Sequence, residues 1–140
     1  MKKLAVVYWS GTGNTEAMAE ALAKAARSGG ASADVYQVSS FNAGMVDNYE
    51  ALAFGCPAMG AEELEDSEFA PVFNDCLPKL AGKAVGLIGS YGWGGGEWMS
   101  NWQDMCAEAG VALVSDGVVA NEAPDDEAMA NLAALAAALA

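Results

Sequence analysis

A chain of 140 residues with 54% apolar side chains has room for one substantial core, yet its apolar runs are strand-sized and none approaches a membrane span. The formal charge of −13, from 19 acidic against 6 basic side chains, leaves too little positive charge to displace counterions from nucleic acid and favours basic protein surfaces instead. With no His and with Cys56, Cys76 and Cys106 in no CxxC spacing, Ser–His or Cys–His catalysis is excluded, and buried reduced thiols fit better than a zinc or iron–sulfur site.

The N-terminus runs directly into an apolar stretch without a signal peptide's cleavage pattern, so an intracellular, cytoplasmic protein is expected. Apolar runs predict strands at 3–9, 33–38, 50–55 and 84–89, with a broken one at 112–120. Helix periodicity predicts α-helices at about 14–27, 68–80, 97–109 and 126–139, while 41–49 is too short and irregular for a long one. Phe69, Val72, Phe73, Cys76 and Leu80 form one stripe, and Trp98, Trp102, Met105 and Cys106 another. Met129, Leu132, Leu135 and Leu139 mark the last helix, behind an acidic start at Asp125-Asp126-Glu127 that complements its dipole. Strands alternating with helices specify an α/β domain over 1–140, an open parallel sheet covered on both faces. Ligands of such sheets bind beyond the carboxyl ends of the strands, so the loops after the first, third and fourth strands carry the information.

The first loop is Ser10-Gly11-Thr12-Gly13-Asn14-Thr15, placed between a strand and a helix. It lacks the Lys of a P-loop, and Glu16 stands where a dinucleotide fingerprint needs its third glycine. An ordinary strand-to-helix turn explains the glycines but not the hydroxyl or amide at four of six positions. Backbone N–H groups, hydroxyls and an amide at a helix N-terminus specify a phosphate site without a formal counter-charge. The second loop runs Gly55-Cys56-Pro57-Ala58-Met59-Gly60-Ala61-Glu62. The third, Gly89-Ser90-Tyr91-Gly92-Trp93-Gly94-Gly95-Gly96, sets aromatics among glycines. It reads either as a mobile loop docked on the core or as an aromatic wall for a planar ligand. A phosphate and a flat ring together describe a phosphorylated aromatic cofactor, and FMN fits both.

The phosphate loop, with Cys56-Pro57-Ala58-Met59-Gly60 and Ser90-Tyr91-Gly92-Trp93-Gly94, resembles the flavodoxins, specifically the short-chain type of anaerobic bacteria, over essentially the whole chain. The short gap from Leu113 to Val118 has no room for the insertion of the long-chain branch. The resemblance implies a doubly wound five-stranded sheet in the order 2-1-3-4-5. It also implies a low-potential one-electron carrier, not an enzyme, using non-covalent FMN and cycling mainly between semiquinone and hydroquinone. Ser10, Thr12, Asn14 and Thr15 would hold the phosphate beside the amides of Gly11 and Gly13. Met59, next to Pro57 and Ala58, would face the inner side of the ring and Trp93 the outer side. Backbone amides from Tyr91 through Gly92 to Gly94, adjoining Ser90, would meet the pyrimidine edge, and Glu62 would accept from N3–H.

In this family the Gly60-Ala61 peptide would rotate on one-electron reduction. Ala at the third position of the rotated turn would cost about 1 kcal/mol, roughly 40 mV of semiquinone stabilisation. Glu62, Glu63, Glu65, Asp66 and Glu68 would oppose the anionic hydroquinone, each by about 70 mV at roughly 10 Å before screening. The same rim would dock basic surfaces of ferredoxin-type oxidoreductases and flavodoxin reductases, with no nucleic acid or membrane partner and a monomeric chain. The alternative is an FMN-dependent quinone or nitro reductase of the same fold, which steady NAD(P)H oxidation without an added reductase would favour. A receiver domain fails on residues: Trp9-Ser10, Cys56-Pro57 and Ser90-Tyr91 stand where its acids and Lys belong.

Overall fold

The computed structural model describes residues 3–11, 13–59, 63–92 and 96–139. Thr12, Gly60, Ala61, Glu62, Trp93 and Gly94 therefore lie outside the described residues. Five strands form one parallel sheet: β1 (Lys3–Tyr8), β2 (Ser32–Gln37), β3 (Ala51–Gly55), β4 (Ala84–Tyr91) and β5 (Val118–Asn121). Their order is β2-β1-β3-β4-β5, as the resemblance implied. The helices are α1 (Asn14–Ser28), α2 (Phe69–Cys76), α3 (Glu97–Glu108) and α4 (Asp126–Leu139).

Strand alternation sorts the core onto the two faces of the sheet. Leu4 and Val6 of β1, with Ala51 and Ala53 of β3, pack under Met18 and Leu22 of α1 and Leu132 and Leu135 of α4. Ala5, Val7, Leu52 and Phe54 face the other way, against Phe69 and Phe73 of α2 and Trp98 and Trp102 of α3. The second face is aromatic: Phe69 and Phe73 stack with ring centroids 5.9 Å apart, and Trp102 meets both edge-on at 5.5 and 5.4 Å. All three cysteines are buried and free, and burial pushes their thiols up to about 12 for Cys56 and about 11 for Cys76 and Cys106.

The departures from the sequence reading have local causes. The second predicted helix stops at Cys76 and tightens into a 3-10 turn over Leu77–Lys79, where Pro78 has no N–H to continue the ladder. Between β2 and β3 there are only 3-10 turns, Val38–Ser40 and Ala43–Asn48. The broken last strand is a bridge from Leu113 to Val85, followed by β5 proper from Val118. Met129 is 46% exposed, and Ala128 takes its place in the buried stripe of α4. Ser90 and Tyr91 are not loop residues, because β5 runs on beside them and pairs them with Ala120 and Asn121. Among the described residues, no helix is long and apolar enough to cross a membrane.

Candidate functional site

The loops meet where they leave the carboxyl edge of the sheet. The β1–β3 ladder extends one step as Trp9 N–H reaches Gly55 O at 2.9 Å, which delivers the phosphate loop next to the loop after β3. That second loop is fixed against β4 by Ala58 N–H to Ser90 O at 3.0 Å, and by Trp98 Nε1–H to Cys56 O at 3.1 Å. Gly89 is needed at this crossing, since a Cβ there would collide with the Cys56 carbonyl and come within 3.0 Å of the Trp98 ring. Met59 and Glu63 then pair with each other, N–H to O at 2.9 Å in both directions. Glu122 N–H donates to Tyr91 O at 2.8 Å and brings a fourth loop to the same edge.

In the phosphate loop, Gly13 takes the left-handed conformation (φ 94°) and precedes the first residue of α1. Its N–H is held by Ser10 Oγ at 3.0 Å, which curls the loop over the helix start. The first helical bond is Ala17 N–H to Gly13 O at 3.0 Å, so the amides of Asn14, Thr15 and Glu16 have no intrahelical acceptor. Thr15 is buried, and its hydroxyl lies 3.0 Å from that of Ser90.

A cavity of about 420 Å³ opens in front of this helix start. It brings together eight of the residues singled out from the sequence: Gly11 and Asn14, then Pro57, Ala58 and Met59, then Ser90, Tyr91 and Gly92. Ser10 and Gly13 line a second, polar cavity with Tyr8, Glu16 and Gln37, and Gly11 borders both. There Tyr8 OH donates to Glu16 Oε2 at 2.7 Å, and burial together with that bond pushes the phenol up to about 12. A larger groove of about 580 Å³ between β5 and α4 shares only Tyr91 with the cavity in front of α1, and no described residue of the loop after β1 lines it.

The chemistry of the lining fits a flat, phosphorylated group. Aromatic and thioether walls from Trp9, Tyr91 and Met59 stand beside hydroxyl, amide and helix N-terminal donors, and among the described residues no Lys or Arg lines the cavity. A model of the flavodoxin family matches residues 6–134. This chain belongs to the flavodoxin family. It is 48% identical to a flavodoxin of Megasphaera elsdenii over 121 residues, covering 86% of this chain and 88% of that one. A flavodoxin of Clostridium beijerinckii is 42% identical over the same shares. The solution structure of two-electron reduced Megasphaera elsdenii flavodoxin superposes with a TM-score of 0.88 at 45% identity, covering 98% of this chain and 99% of that one. As a flavodoxin the chain is an electron carrier with a flavin cofactor and redox partners.

Two residues of this flavodoxin site escape the sequence reading. Trp9 lines the cavity although it looked like the last residue of a strand, and its position directly before Ser10 was the available signal. Glu122 lines it from the loop after β5, with φ of 60°, the one positive φ at a non-glycine among the described residues. Restricting attention to the first, third and fourth loops hid it.

One expected rim acid is misplaced. Glu65 is 6% exposed and turned inward at the start of α2. Its Oε1 accepts the N–H groups of Glu68 and Phe69 at 2.8 Å each, and its Oε2 takes the N–H and hydroxyl of Ser67. Burial alone would raise this carboxyl, but the Ser67 hydroxyl and the three amides outweigh it and hold it at about 2. Glu65 is thus a buried anchor for the loop, while Glu63, Asp66 and Glu68 remain exposed.

Proposed function

We propose that this chain is a low-potential one-electron carrier, a single domain over 1–140 that holds one FMN non-covalently and works mainly on the lower of its two one-electron couples. The observation that carries this reading is the cavity between Trp9, Met59 and Tyr91 in front of the N-terminus of α1. When bound, FMN supplies a ring that accepts two electrons one at a time.

The chain's own groups divide the work. Ser10, Thr12, Asn14 and Thr15, with the amides of the loop, take the phosphate, and the positive end of the α1 dipole favours it. Met59 and Trp93 flank the ring and exclude water. Backbone amides between Tyr91 and Gly94 and the Glu62 carboxylate would hold the polar edge of the ring, and the Gly60 carbonyl would offer it a hydrogen-bond acceptor.

Electrostatics favour the lower couple as the working one. Glu122 lines the cavity, and Glu63, Asp66 and Glu68 are exposed on the adjoining segment. One carboxylate about 10 Å from an added negative charge opposes it by roughly 1.7 kcal/mol at an effective dielectric near 20, before screening. The described basic residues lie toward the opposite edge: Lys3 opens β1, Lys24 and Arg27 sit in the last turns of α1, and Lys79 and Lys83 precede β4. The exposed acids at the site edge, with no basic residue described beside them, steer it toward basic redox proteins, such as ferredoxin-type oxidoreductases and flavodoxin reductases. A monomer in the cytoplasm is consistent with that role.

The test is to titrate the apoprotein with FMN and with riboflavin, following quenching of flavin fluorescence. One FMN per chain is expected, bound at least ~100-fold more tightly than riboflavin, given the worth of several hydrogen bonds to a charged phosphate. Equal affinities would overturn the phosphate assignment.

A further inference from the structure

Trp9 and Glu68 meet at the wall of the cavity. Trp9 Nε1–H donates to Glu68 Oε1 at 3.2 Å, joining residues 59 positions apart. The indole is wedged against the phosphate loop, where a Cβ on Gly11 would lie 3.1 Å from its Cη2. Trp9's backbone is fixed by its bond to Gly55. Glu68 is fixed from the other side, since its N–H is held at 2.8 Å by the buried carboxylate of Glu65. The contact therefore ties the phosphate loop to the far end of the loop after β3, and both ends rest on backbone that is already pinned.

We propose that Glu68 is a latch: a positioning residue that holds the Trp9 ring as a wall of the cavity, so that cofactor release requires this contact to break. The proposal rests on the FMN reading above. An indole offers a single donor and needs only an acceptor in the right place, so the latch depends on the acceptor oxygen and not on the charge. A Gln at 68 keeps that oxygen, and an Ala removes it.

The experiment measures FMN dissociation from the holoprotein for wild type, Glu68→Ala, Glu68→Gln, Trp9→Phe and the Trp9→Phe/Glu68→Ala double variant. Glu68→Ala is expected to release FMN about two- to tenfold faster than Glu68→Gln, the worth of one hydrogen bond at equal loss of charge. Glu68→Ala is expected to speed release less in the Trp9→Phe background than in wild type. In the apoprotein, the Trp9 indole N–H resonance is expected to move in Glu68→Ala and to hold in Glu68→Gln. Glu68→Gln releasing FMN as fast as Glu68→Ala, or full additivity in the double variant, would each overturn the latch. Wild type that takes up no FMN would overturn the FMN reading instead, and the indole resonance would still decide the Trp9–Glu68 contact.

Discussion

The hydroxyls of Thr15 and Ser90 lie 3.0 Å apart inside the protein, joining the first turn of α1 to the end of β4. Both side chains are buried, and Ser90 N–H also points to Thr15 Oγ1 at 3.4 Å. A residue at the start of α1 is thereby locked to the end of the strand that lines the cavity. Thr15→Val keeps the shape but removes the oxygen, leaving the Ser90 donors short of a partner. A loss of about 1–3 kcal/mol is expected in urea unfolding of the apoprotein, with Ser90→Ala adding less than its separate effect. An unchanged midpoint would contradict this reading.

Glu65 sets an acid limit on stability. Its carboxyl is held at about 2 against an ordinary 4.5, so the folded state favours the ionised form. The stabilisation is complete above about pH 4.5 and is lost as the pH falls through about 2; it is on the order of 2 kcal/mol. Glu65→Gln is expected to lower stability at pH 7 and to flatten the stability profile between those pH values. A variant whose acid limb matches wild type would rule out Glu65 as its source.

On the function proposed above, Ala61 would occupy the third position of a turn that changes with oxidation state. Ala61→Gly is expected to make the upper potential about 40 mV more positive, the equivalent of roughly 1 kcal/mol of relieved backbone strain. An upper potential that stays put would remove the idea.

Salt acts on the exposed rim and not on the buried anchor. Raising ionic strength from about 0.01 to 0.15 M shortens the Debye length from about 30 to about 8 Å. Reduction by a basic partner is expected to slow severalfold over that range, while the lower potential rises slightly. Stopped-flow rates that ignore salt would contradict docking through Glu63, Asp66 and Glu68.

The sequence made the sheet legible because each strand carries a short apolar run and each helix a stripe, and the cavity edge was legible because its loops follow the first, third and fourth strands. Glu65 was not: nothing local separates it from Glu63 and Asp66, and only the fold brings three amides and a hydroxyl around it. Met129 misled because α4 is so rich in Ala that a buried Ala128 and an exposed Met129 are equally compatible with the periodicity. Ser90 and Tyr91 read as loop because their glycine neighbours hide a strand that exists only through pairing with β5. Trp9 gained its role from Gly11 and Glu68, contacts that no spacing rule connects.

An anaerobic dithionite titration of the purified protein, following the visible spectrum and both potentials, decides whether this chain is a one-electron flavin carrier. About one FMN per chain and two resolved one-electron steps are expected, the second at strongly negative potential, with no NAD(P)H consumed unless a reductase is added. A protein that binds no flavin, takes up both electrons in a single unresolved step, or oxidises NAD(P)H steadily on its own would contradict that role.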